Sequence, residues 1–166
     1  MKKNIYILIV EDEPEVLDAI VRDLSDFESH FIIEMCDTAE EARDLIRSIY
    51  DDDGEVGLIL CDHVLPGDNG VELLVEMEHK EETYDTKKVL ITGQAGLEET
   101  VRAVNEANLE HYIAKPWEKE DLVHTVKKQL TDYVIQKVSN PLPYMNVLQA
   151  DRIADSIRKG KGLSDQ

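Results

Sequence analysis

The sequence predicts an α/β fold: a doubly wound, five-stranded parallel sheet with helices on both faces and an extra helical tail. Three observations predict it. Short aliphatic runs alternate with longer stretches whose apolar residues recur at helical spacing. The runs are near-continuous in Val, Ile and Leu, the pattern of strands buried on both faces. The run Leu58-Ile59-Leu60-Cys61 ends abruptly in Asp62 ahead of a Pro66-Gly67 turn, and the C-terminal strand ends are where open α/β sheets gather chemical groups.

Taken in order, Ile5 to Val10 is a central strand followed by Glu11, Asp12 and Glu13. Pro14 suits a first helical turn, and Val16, Leu17, Ile20, Val21, Leu24 and Phe27 mark the inward stripe of that helix. Phe31 to Cys36 is a second strand. Thr38 with Glu41 forms a capping box, and Ala39, Ala42, Leu45, Ile46 and Ile49 face inward until Asp51-Asp52-Asp53-Gly54 breaks the helix. The third strand carries Asp62, and after the turn Pro66 to Gly70 a helix holds Val71, Leu73, Leu74, Val75 and Met77. Lys87 to Thr92 is a fourth strand ending in a hydroxyl, and Leu97, Val101, Val104 and Ala107 mark a fourth helix. His111 to Ala114 is a short fifth strand stopped by Lys115-Pro116. Apolar positions from Leu122 then carry a fifth helix to about Val138. Ser139 to Pro143 is a break, Met145 to Lys159 has helical character, and Gly160 to Gln166 is expected to fray.

Composition narrows the classes of function. With 166 residues the chain accommodates one domain and an appendage, here 1–138 and 139–166. Its 18 Lys+Arg against 36 Asp+Glu give a formal charge of −18, which argues against a surface that neutralises nucleic-acid phosphates. Cys36 and Cys61, the only cysteines, read as buried free thiols in a reducing compartment, and the expected location is cytoplasmic. The first apolar run is too short for a signal-peptide core, and no stretch approaches a membrane span.

In a parallel sheet all strands end on one edge, so four loaded ends become neighbours: Glu11 with Asp12, Asp62, Thr92 and Lys115. Three carboxylates so placed repel one another unless a cation intervenes. Oxygen ligands in an open cluster suit Mg²⁺, and no His/Cys set has zinc spacing. With the charge screened, an Asp62 oxygen can attack phosphorus, while Lys115 and Thr92 hold phosphoryl oxygens.

Glu11-Asp12-Glu13-Pro14, Cys61-Asp62-His63-Val64-Leu65-Pro66-Gly67, Leu90-Ile91-Thr92-Gly93 and Tyr112-Ile113-Ala114-Lys115-Pro116 together resemble the signature set of the receiver domain of two-component response regulators, of the chemotaxis-regulator type. The resemblance spans about Asn4 to Leu130 and implies a flavodoxin-like receiver fold with strand order 2-1-3-4-5. It implies Asp62 as phosphoacceptor, Asp12 and Asp62 as Mg²⁺ ligands, Glu11 acting on the metal through water, and the Val64 backbone carbonyl as a further ligand. It implies Thr92 and Tyr112 as a switch pair, Lys115 as the bridge to phosphate, and Val64 and Gln94 as tuners of dephosphorylation. Glu11 departs from the family, which more often has Asp there. The implied partners are a sensor histidine kinase or histidine phosphotransfer protein and a downstream protein reading the α4-β5-α5 face. No turnover enzyme is expected beyond self-catalysed phosphoryl transfer and slow autodephosphorylation.

Other readings compete. A receiver-like domain that only docks proteins would not need the full Asp62, Asp12, Thr92 and Lys115 set. A Mg²⁺-dependent aspartyl phosphatase would need a second Asp two residues after the nucleophile, where Val64 stands. A Cys61-Asp62-His63 triad fails because adjacent strand residues point to opposite faces. Past Val138 the chain is too short for a DNA-binding output domain, so it reads as a stand-alone receiver or part of something longer. The apolar stripe beyond Leu130 would serve a homodimer seam or a stalk, or be buried by the tail folding back.

Overall fold

A computed structural model describes residues 3–93, 97–109 and 111–164. Five strands, β1 (Ile5–Val10), β2 (Ile32–Cys36), β3 (Glu55–Cys61), β4 (Lys87–Thr92) and β5 (His111–Ala114), form one parallel sheet in the order β2-β1-β3-β4-β5. This is the order expected from the sequence. The helices are α1 (Pro14–Asp23), α2 (Ala39–Asp51), α3 (Gly70–Glu78), α4 (Leu97–Glu106), α5 (Lys119–Lys137) and α6 (Ala150–Ser164).

Side-chain alternation along the strands separates two apolar layers. Ile7, Ile9, Leu58, Leu60, Val89 and Ile91 face a layer closed by Ile20 of α1 and Leu122, Val126 and Leu130 of α5. Leu8, Val10, Ile59, Cys61 and Leu90 face the other, closed by Ala42 and Ile46 of α2, Leu74 of α3 and Ala103 of α4. The aliphatic runs of the central strands are thus covered on both faces. Strand β3 starts at Glu55, ahead of its apolar run, and its register against β1 slips where Gly57 lies. A side chain there would meet Ile5 at 2.7 Å and Tyr133 at 3.2 Å.

Three local differences from the sequence reading have physical causes. Helix α1 stops at Asp23 and a 3₁₀ turn over Ser25–Ser29 carries Phe27 inward, so the apolar stripe outlasts the α-helix. The Pro66 to Gly70 turn is a small antiparallel hairpin, Val64–Leu65 against Asp68–Asn69, with Gly67 at φ 69° at its tip. In the tail the α-helix begins at Ala150 rather than near Met145 and continues through Gly160 to Ser164, where fraying was expected. Its late start reflects a 3₁₀ turn over Leu142–Tyr144 and a cap supplied by another helix: the Gln149 N–H donates to Thr131 Oγ1 of α5 at 3.1 Å.

The tail folds back onto the sheet's own core. Tyr144, Leu148 and Ile153 are buried in the layer that holds α1 and α5, and the Tyr144 ring lies 5.4 Å from that of Phe31. Arg152 pairs with Asp132 of α5. Helix α5 is thus covered on two sides, which accounts for the buried Thr131. Beyond Leu130, Tyr133 and Val134 are buried within the chain, and Ile135 and Val138 are half-buried against the same core. Among the described residues no helix is long and apolar enough to cross a membrane.

Tyr144→Ala is expected to lower unfolding free energy by roughly 3–5 kcal/mol, as for a buried aromatic that leaves a cavity. Denaturant unfolding checks it; a loss near zero would mean that the tail is detached in solution.

Candidate functional site

The backbone ladder continues one residue past β1, β3 and β5, and this continuation builds the site. The Asp62 N–H donates to Val10 O at 3.0 Å, the Glu11 N–H to Cys36 O at 3.0 Å, and the Lys115 N–H to Thr92 O at 3.1 Å. Residues far apart in sequence are therefore aligned on one edge. A cleft of about 310 Å³ opens there, lined by Asp12, Glu13, Asp62, Val64, Thr92, Gly93 and Lys115.

Beside it, carboxylate oxygens of Glu11, Asp12 and Asp62 lie within 4.8 Å of one another, and Asp12 and Asp62 line the cleft. Glu11 is fully buried, Asp62 is 5% exposed and Asp12 is open to solvent. The Lys115 ammonium bridges the two buried acids, donating to Glu11 Oε1 and, at 2.9 Å, to Asp62 Oδ2. Glu11 Oε2 accepts the Glu13 N–H at 3.2 Å, and Asp62 Oδ1 accepts the Val64 N–H at 3.3 Å.

The electrostatics follow from this geometry. Burial pushes the Glu11 carboxyl up, and the nearby Asp62 charge adds to it, against the lowering pull of Lys115 and the Glu13 N–H. Burial works against the Lys115 ammonium, but its bonds to Glu11 and Asp62 hold it above the ordinary lysine range. One ammonium among three carboxylates leaves the pocket short of positive charge. Its donors are all hard oxygens, so the residues fit a small divalent cation such as Mg²⁺ and do not suit a soft metal.

Cys61 is not part of this cleft. It is fully buried, its Sγ donates to Asp62 O at 3.3 Å, and burial holds its thiol far above the usual range. That removes the triad reading. Tyr112 is 49% exposed beside Thr100, Val104, Leu109 and His111, in a separate cleft between α4 and β5. Thr92 and Tyr112 thus stand on adjacent strands in different cavities. Gln94 lies outside the described residues.

Two contributors escaped the sequence reading. A side chain at Gly70 would come within 1.8 Å of the Asp62 carbonyl oxygen, so the start of α3 rests directly on the backbone of the central aspartate. Arg43 of α2 bonds Asp68 of the hairpin. Neither carries a local signature, since one is a glycine among turn residues and the other a helix-surface arginine.

The receiver domain family of response regulators matches residues 7–127, and the chain belongs to it. The chain is 34% identical over 126 residues to the hydrogenase transcriptional regulatory protein HoxA of Cupriavidus necator, covering 76% of this chain and 24% of that protein. It is 35% identical over 133 residues to HoxA of Bradyrhizobium diazoefficiens, covering 79% and 25%. It therefore spans about a quarter of the length of these relatives. The crystal structure of a CheY-like receiver domain protein from Methanospirillum hungatei JF-1 superposes with a TM-score of 0.68 at 30% identity, covering 81% of this chain and 99% of that one.

Burial, followed by the neighbouring acids, pushes the Cys36 thiol up to about 12, and Cys61 is more deeply buried still. At pH 8 the folded protein should consume no thiol reagent such as dithionitrobenzoate, and both cysteines should react in denaturant.

Proposed function

We propose that this chain is a phosphorylation-dependent signalling switch that accepts a phosphoryl group on Asp62 from a histidine kinase or a histidine phosphotransfer protein. The observation that carries the reading is the clustering of the Glu11, Asp12 and Asp62 carboxylates beside an open cleft that Asp12 and Asp62 line, with Lys115 seated between the two buried acids. An Asp62 oxygen forms the new bond to phosphorus as the P–N bond of the donor phosphohistidine breaks, and the leaving imidazole takes up a proton. Asp12, Asp62 and the Val64 carbonyl would hold Mg²⁺, with Glu11 acting through water; the ion supplies charge screening between nucleophile and phosphoryl group.

Lys115 then pairs with a phosphoryl oxygen, because the Asp62 oxygen that it holds is converted to an acyl phosphate. The Thr92 hydroxyl donates to another, and Tyr112 moves toward the space this leaves. Its present half-exposed position against α4 supports such freedom. The reporting surface is then α4, β5 and α5, where Val101, Val104 and Tyr112 already expose apolar area to a downstream partner. The chain divides into a receiver over 1–138 and a tail over 139–166, acts in the cytoplasm, and makes no direct nucleic-acid contact. Slow self-hydrolysis is its only turnover. Val64, 54% exposed at the mouth of the cleft, offers no group to orient water, and Gln94 is the other tuning position.

Incubation with Mg²⁺ and acetyl phosphate should add one phosphoryl group by intact mass, and Asp62→Asn should abolish the adduct. Absence of any adduct on the wild-type protein would favour a docking-only domain. Once formed, the adduct should outlast minutes without an added phosphatase; decay within seconds would assign water activation to another group.

A further inference from the structure

Asp62 is followed by a hairpin with only two paired residues per strand and an exposed tip at Pro66 and Gly67. So small a hairpin is marginal by itself. Yet it touches the reactive carboxylate directly, through the Val64 N–H on Asp62 Oδ1. Its far side is restrained by Gly70, whose N–H donates to His63 O at 2.9 Å and whose Cα has no room for a side chain over Asp62. The return strand, Asp68–Asn69, runs straight into Gly70, and its tip end at Asp68 is held by a further tie from outside the hairpin.

Arg43 supplies that restraint. Its Nε and Nη2 donate to the two oxygens of Glu76 on α3 at 2.8 and 2.9 Å, a fork-on-carboxylate pairing that fixes the plane of the guanidinium. The remaining arm, Nη1, donates to Asp68 Oδ2 at 3.0 Å. Asp68 lies opposite Leu65 and Asn69 opposite Val64, so the contact pins the strand that pairs with Val64. Asn69 in turn caps α3 through the Val71 N–H at 2.8 Å.

We propose that Arg43 is a positioning residue for phosphoryl acceptance: from α2 it clamps Asp68, sets the hairpin, and through Val64 holds Asp62 in line with the metal seat. This rests on the reading of Asp62 as a Mg²⁺-assisted phosphoacceptor. Both partners of the Arg43–Asp68 pair are partly exposed, so the clamp contributes little to global stability and acts on local geometry. Arg43→Lys keeps the charge but loses the planar fork, which separates geometry from field.

The test compares wild type with Arg43→Ala, Arg43→Lys and Asp68→Asn. Mg²⁺ affinity is measured by calorimetry without any phosphodonor, hairpin mobility by amide hydrogen exchange, and phosphorylation with acetyl phosphate. The expected result is Mg²⁺ affinity weakened about three- to tenfold in Arg43→Ala and Asp68→Asn, at or below the low end of the ~10–100-fold seen for partners that touch metal ligands directly. Arg43→Lys should lose affinity as well, hydrogen exchange at residues 63–69 should quicken, and the melting curve should barely move. Wild-type affinity and exchange in all three variants would overturn the clamp while leaving the phosphoacceptor reading intact. A wild-type protein that binds no Mg²⁺ and takes no phosphoryl group would overturn that reading and the clamp with it.

Discussion

The Lys115 ammonium, held between Glu11 and Asp62 at the C-terminal edge of the sheet, is the interaction on which the rest depends. Two carboxylates with almost no exposure would repel each other strongly in so dry a setting, and their joint presence needs a cation in contact with both. Lys115 can meet both because β4 and β5 extend the sheet beyond β3, and its own backbone is tied to Thr92. Asp12 adds a third acid that Lys115 does not cover. The resulting deficit of positive charge is what makes the pocket receptive to a metal ion.

Everything around that centre limits its freedom. From below, Cys61 and the apolar layers fix the end of β3. From the side, α3 presses a glycine onto the Asp62 carbonyl, and its Val71 N–H is capped by Asn69. Helix α4 is tied to α3 by Arg102 with Glu72. The α4–β5 cleft, by contrast, is open and lined by half-exposed apolar groups. Close packing thus sits near Asp62, and the exposed apolar surface lies a strand or two away.

The tail changes the character of α5. A helix that covers a sheet normally presents one polar face to water, yet α5 buries Gln129 and Thr131 as well as its apolar stripe. The burial of Thr131 has a use, because its hydroxyl donates to Lys127 O and accepts the Gln149 N–H just ahead of α6. The tail from Ser139 onward lies beyond the residues matched by the receiver family and adds Tyr144, Leu148 and Ile153 to the core.

The sequence by itself determined the sheet, its helices and the four strand ends that carry Glu11, Asp12, Asp62, Thr92 and Lys115. Those features are encoded locally, as apolar periodicity and as the first polar residue after each run, so they can be read without knowing what touches what. Only the tertiary structure decided that Gly70 lies on Asp62, that Arg43 reaches Asp68, that Lys88 is buried against Glu78 and the Thr86 carbonyl, and that Thr131 caps a helix 18 residues later. Each is a long-range meeting of groups with no periodic mark. A glycine, a surface arginine or a threonine looks alike in the sequence whether solvent or another part of the chain lies against it.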